Sequence, residues 1–147
     1  VTDSRSAGQD RRAIEADCIR LINLYANLND AQDWDAVAAL YTVDAQFRRP
    51  SGGDPVLGRD AILASFRARP PRAQRHVIAN TVVDVEGPAE ARAFSAIILY
   101  QGDLAEDGSL PAQSANSPLV GWYRDRIVLT AEGWRFAERE GGLDFRP

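Results

Sequence analysis

One imidazole stands in 147 residues, His76, in the strand-like stretch His76-Val-Ile-Ala-Asn80-Thr-Val-Val. Imidazole titrates near neutrality, ordinarily at about 6.5, so it is the side chain best suited to taking up a proton and returning it at neutral pH. In the alternation of a strand, His76, Ile78, Asn80 and Val82 share one face, and Val77, Ala79, Thr81 and Val83 share the other. Both faces are largely apolar, which predicts a strand buried on both sides. An unpartnered polar atom there costs about 1–3 kcal/mol, so His76 and Asn80 need partners or water. An imidazole with polar company in an apolar enclosure is a place for acid–base chemistry; the structural alternative is a satisfied core histidine.

The elements that position this strand follow from periodicity. Ile14, Cys18, Leu21, Ile22, Tyr25 and Leu28 recur at spacings of three and four, which predicts an amphipathic helix from about Asp10 to Leu28. A second helix is expected over Trp34–Tyr41 with Asp33 as its N-cap, then a brief strand over Ala45–Arg48 and a turn over Pro50–Pro55. A third helix over Arg59–Arg69 stops at Pro70-Pro71. Strands are expected near 75–86, 90–101, 119–130 and 133–140, with turns at Glu86-Gly-Pro88 and Glu132-Gly133. Helices first and hairpin-linked strands afterwards predict an α+β domain over 11–147, its helices covering one face of a curved, mostly antiparallel sheet. Residues 1–10 are polar and read as a loose arm, and the start on Val1 reads as processing or trimming. Gly102–Pro118 is long for a hairpin and is either a lid, a partner contact or an ordinary loop. The tail from Gly141 to Pro147 either caps the mouth of a pocket or lies free.

Composition narrows the partners. Seventeen basic against 21 acidic residues give a net charge of −4, so no global attraction for nucleic acid or an anionic membrane is expected. Apolar runs such as Ala96–Tyr100 fall far short of the roughly 18 residues of a membrane span. A lone cysteine, Cys18, cannot close an internal disulfide and suits a cytoplasmic setting; on the apolar stripe it reads as a small buried hydrophobe. One histidine and one cysteine at unrelated positions offer no metal-ligand spacing, and no glycine-rich phosphate loop follows a strand, so cofactor-free chemistry without a metal is expected. The arginines at 67, 69, 72 and 75 form a basic patch, read as a solvated rim in preference to an attractor of anionic substrate.

Several segments in order, Tyr25-Ala-Asn-Leu-Asn-Asp30-Ala-Gln-Asp-Trp34-Asp35, Leu40-Tyr-Thr-Val-Asp44-Ala-Gln-Phe47, Gly58-Arg-Asp-Ala-Ile62, Arg75-His76 with Asn80, Tyr123-Arg-Asp125 and Gly133-Trp134-Arg135, resemble the SnoaL-like branch of the nuclear-transport-factor-two-like superfamily. The resemblance implies a cone-shaped α+β barrel in which three helices wrap a bent sheet around a deep pocket. Within that superfamily, Tyr25, Asp30 and His76 resemble the tyrosine, aspartate and histidine of the scytalone dehydratase and bile-acid dehydratase branch, where they line the pocket and serve water elimination. The chain departs from scytalone dehydratase in lacking a second histidine, and from the bile-acid enzyme in having no acidic residue in Ala93-Phe-Ser95-Ala-Ile-Ile.

On that resemblance, His76 is the general base and Asp30 its orienter, fixing the tautomer and stabilising the imidazolium. Tyr25 supplies a proton or a hydrogen bond to a developing oxyanion. Tyr25 and Asp30, five residues apart, stand about 140° apart on an ideal helix and converge only if the helix ends near Leu28. Each keeps a structural alternative, Tyr25 as core and Asp30 as a turn or cap. Asn80 either holds substrate or ties off backbone groups, and Tyr100, Trp122 and Arg124 are candidate substrate-binding residues.

The function expected is a cofactor-independent lyase or isomerase of dehydratase or cyclase type acting on a hydrophobic hydroxylated or carbonyl small molecule. The alternatives are a non-catalytic small-molecule binding protein, or an assembly subunit resembling the small subunit of ring-hydroxylating dioxygenases. A homodimer is expected through the exposed sheet face, with Trp122, Tyr123 or Trp134 as interface aromatics.

Overall fold

The computed structural model describes the backbone of residues 3–114 and 117–147 and, within the first helix, side chains from Asp10 onward. The order is α1 (Asp3–Asp30), α2 (Trp34–Ala39), β1 (Tyr41–Arg48), β2 (Val56–Leu57), α3 (Arg59–Arg67), β3 (Ala73–Gly87), β4 (Glu90–Gly102), β5 (Leu119–Thr130) and β6 (Gly133–Phe145). The strands form one sheet in the order β2-β1-β6-β5-β4-β3, antiparallel except for the parallel β1–β6 pair. The sheet curves without closing and the three helices pack on it, the α+β architecture expected.

Cys18, Leu21, Ile22 and Tyr25 are buried, as their spacing predicts. The helix outruns its stripe at both ends. It begins at Asp3, so the arm expected over residues 1–10 is helical from Asp3 on, residues 1 and 2 lying outside the described residues. A proline-free run extends a helix that burial has already nucleated. It ends at Asp30, not Leu28, because buried Asn29 is anchored by Gln74 and overrides its weak helix propensity. Asp33 caps α2 as expected, its Oδ1 accepting from Ala36 N at 3.2 Å, but the helix stops at Ala39 and Tyr41 opens β1.

Strand β3 departs from simple alternation in two ways. Its outer face is bare, with Val77 and Val82 43% and 58% exposed, because helix α1 covers only the inner face. The β3–β4 register also shifts between Ala79 and Val82, where Asn80 adopts a φ of 52°. This bulge puts an extra residue into β3 and flips the parity beyond it. His76 and Ile78 are then followed inward by Thr81 and Val83, while Asn80 is exposed. Asparagine is among the few non-glycine residues that tolerate positive φ, which suits it to this bend.

Strand β6 reaches Phe145, beyond the expected 140, because Gly141-Gly142 admits close neighbours on both faces. A Cβ at Gly141 would strike the Pro50 ring, and one at Gly142 would strike the Trp122 indole. Of the three aromatics expected at an interface, Tyr123 and Trp134 are buried in the core, leaving Trp122 half-buried on the outer face. Among the described residues no helix is long and apolar enough to cross a membrane.

Candidate functional site

The last turn of α1 is stitched to the start of β3 at alternate residues. Gln32 Nε2 donates to the Arg72 carbonyl at 2.6 Å, and Gln74 Nε2 donates to the carbonyl and Oδ1 of Asn29 at 2.7 and 2.9 Å. His76 completes the series: its backbone N–H donates to Asp30 Oδ2 at 2.9 Å, and its Nδ1 lies 2.6 Å from Asp30 Oδ1. The two side chains are 6% and 4% exposed. A carboxylate can only accept, so a neutral imidazole donating to it does so from Nδ1 and keeps its lone pair on Nε2. Arg75, largely exposed, lies 3.6 Å from Asp30 Oδ2.

His76 lines a cavity of about 170 Å³ inside the curved sheet. Ile97 and Leu99 of β4, Leu119 of β5 and Leu143 of β6 form its apolar walls. Its polar lining consists of His76, Tyr123, Ser51, Arg49 and Arg69, the last three from segments that follow β1 and α3. Pro50, seated on Gly141, holds the 49–51 segment across β6. Tyr123 is buried and desolvation pushes its hydroxyl well above the ordinary tyrosine range, so it stays a proton-bearing donor at neutral pH.

Beside this cavity lies a second, sealed charged pair. Arg139 Nε is 3.1 Å from Asp125 Oδ1, and neither side chain has any exposure. The guanidinium carbon lies 3.9, 4.2 and 4.4 Å from the ring centroids of Tyr123, Tyr25 and Phe136. Burial pushes the Asp125 carboxyl up to about 6 while Arg139 pulls it down. Cys18 is a neutral thiol, pushed up to about 12 by burial and then by Asp17 and Asp125, in keeping with a buried hydrophobe.

Of the residues singled out in the sequence, the structure brings His76 and Asp30 into contact, with His76 lining this cavity. Tyr25 is elsewhere: α1 does not end at Leu28, and the ring is packed edge-on among Tyr41, Tyr123 and Phe136, against Arg139. Tyr123 is the tyrosine that lines the cavity. Asn80 lies on the bare outer face. Trp122 and Arg124 also point outward, the Arg124 guanidinium 4.4 Å above the indole, because strand alternation turns Tyr123 and Asp125 inward instead. Tyr100 lines a second hollow of about 440 Å³, between the start of β3, the end of β4 and the 103–114 loop, and Asp30 lines this hollow too. That loop, bridged back through Gly102 and Ser114, contributes no described residue to the His76 cavity; positions 115 and 116 of the expected lid lie outside the described residues.

The residues that sequence reasoning missed are Tyr123, Arg49 and the Asp125–Arg139 pair, and it misplaced Arg69. Tyr123 and Asp125 are two apart and so share a face, a usable signal once one of them is known to be inward. Among the four arginines read as rim, Arg67 pairs with Asp35 at 2.6 Å, whereas Arg69 turns inward over Phe66 at 4.2 Å and lines the cavity.

Comparison with known proteins agrees with this architecture. A candidate scytalone dehydratase from Novosphingobium aromaticivorans superposes with a TM-score of 0.77 at 18% identity, over 94% of this chain and 89% of that one. A nuclear-transport-factor-two-like protein with a cystatin-like fold, from the same organism, gives 0.76 at 22% identity over 100% and 94% of the two chains. A candidate aromatic ring hydroxylase, again from that organism, gives 0.70 at 21% identity over 89% of each. At such identities the likeness establishes the fold alone. No curated protein sequence matches significantly. The SnoaL-like domain profile matches residues 10–140, and the chain belongs to that family, within the nuclear-transport-factor-two-like superfamily.

Proposed function

We propose that this protein is a cofactor-independent lyase or isomerase in which His76, oriented by Asp30, takes a proton from carbon in a small carbonyl or hydroxylated compound. The observation that carries the reading is the 2.6 Å contact between His76 Nδ1 and Asp30 Oδ1, both side chains being buried and His76 lining the cavity. The chemistry balances within the chain. The C–H bond breaks, its proton passes to Nε2, and its electron pair becomes an enolate or a new double bond. Asp30 stabilises the resulting imidazolium, and the Tyr123 hydroxyl is the donor for negative charge developing on oxygen. Return of the proton to another carbon completes an isomerisation; its delivery to a departing hydroxide releases water. Apolar walls keep solvent from the carbanionic carbon. The cavity of about 170 Å³ is below the roughly 300–1,000 Å³ of drug-sized sites, which favours a small substrate.

The same reading places a second copy on the bare outer face, where Val82, Phe94 and Tyr100 are 58%, 40% and 47% exposed.

Deuterium uptake from heavy water into propanone, 3-hydroxybutanone and 4-oxopentanoate tests proton abstraction without knowledge of the natural product. Wild type is expected to label the carbon beside the carbonyl, and His76→Gln to lose roughly 10²–10⁴-fold of that rate. Equal labelling by His76→Gln would exclude His76 as the base, and tight binding without any labelling would mark a carrier.

A further inference from the structure

Arg49 and Arg69 are out of place in a small, largely apolar cavity. Arg49 gives one Nη2 hydrogen bond to the Ser65 carbonyl at 3.1 Å, but its Nε is buried with no partner. Arg69 rests on aromatic faces, 4.2 Å from the Phe66 centroid and 5.9 Å from that of Trp34, and its main-chain N–H is used by the Phe66 carbonyl. Among the described residues neither guanidinium has a carboxylate within ion-pair distance, although six other arginines do. Burial, and the Arg49 charge beside it, lower the pKa of Arg69. Such an arrangement is costly unless something negative occupies the space between. A planar anion meets the forked guanidinium in two parallel hydrogen bonds, and the free Arg49 Nε is a donor for one of them.

We infer that the inner cavity receives a carboxylate: its occupant is a small keto or hydroxy acid whose carboxylate lies between Arg49 and Arg69. The carboxylate is then a handle, not the reacting group. It fixes the acid at one side of the cavity and turns the carbon chain along Ile97 and Leu99 toward His76, which lines the same space. This deepens the proton-transfer reading and names its substrate class, but binding is measured apart from turnover.

The test is calorimetric titration of the purified protein with 4-oxopentanoate and with benzoate, each against its uncharged methyl ester. Both anions are expected to bind more tightly than their esters. Arg69→Gln and Arg49→Gln should each weaken the anions roughly ten- to a hundredfold and leave the esters alone, while Arg69→Lys retains part of the preference. His76→Gln should keep the preference although it slows labelling, which separates this inference from the proposed chemistry. Esters that bind as well as the acids, anions that fail to bind, or a preference unchanged in folded Arg69→Gln would overturn it, with far-ultraviolet circular dichroism confirming the fold of each variant.

Discussion

Among the described residues two buried acid–base pairs lie against one curved sheet, and they are built to opposite ends. His76 and Asp30 meet at the seam between α1 and β3, and His76 lines the cavity. Asp125 and Arg139 face each other across β5 and β6, roofed by Tyr25, Tyr123 and Phe136, with no exposure at all. The first pair satisfies one ring nitrogen and leaves the other available, as a base requires. The second is closed to a substrate: neither side chain has any exposure, and neither lines the cavity. Burial alone therefore does not mark a reactive group; burial on one side and an open position on the other does.

That contrast predicts where damage falls. Arg139→Leu strips Asp125 of its counter-charge and should cost about 3–5 kcal/mol in urea unfolding, more than any change at His76. A loss below about 1 kcal/mol would mean the sealed pair is not a structural anchor. Next in size is a pH effect with an unusual sign. The Asp125 carboxyl is raised from 3.8 to about 6 in the folded chain, so the native state holds this proton more tightly than the unfolded one. Its contribution is fully present below pH 3.8 and is lost as pH rises through about 6. The change is on the order of 3 kcal/mol between about pH 4 and about pH 7. Comparing urea unfolding of wild type and Asp125→Asn at those two values isolates this slope, which should be absent from the variant. The smallest effect separates two tyrosines. Tyr123→Phe should slow deuterium labelling roughly tenfold through loss of a cavity donor, whereas Tyr25→Phe should leave it nearly unchanged. The reverse order would restore Tyr25 to the site.

Much of the fold was legible because its signals are local. The stripe from Cys18 to Tyr25, the Asp33 cap and the hairpin-linked strands each write their element into adjacent residues. His76 and Asp30 were legible for different reasons: the histidine is unique in the chain, and the aspartate was supplied by a family resemblance. The rest depended on facing. A single bulge at Asn80 reversed the parity of β3 and carried that residue out of the site. On β5 a choice between two faces exchanged Trp122 and Arg124 for Tyr123 and Asp125. Seventeen basic residues gave no hint that Arg69 alone of its patch turns inward, because that follows from the path of the chain after α3. The partner of Asp125 lies on the neighbouring strand, and pairing across β5 and β6 is set by register, not by sequence spacing.

The proposed proton transfer depends most on Asp30 holding His76 in one tautomer, with Nδ1 protonated and Nε2 free to accept. Long-range proton–nitrogen NMR of the single histidine reads this directly, in wild type and in Asp30→Asn at neutral pH. One dominant Nδ1–H tautomer is expected in wild type, and its loss to a mixture or to the Nε2–H form in the variant. The same tautomer in both proteins, or an Nε2–H ring in wild type, would contradict it.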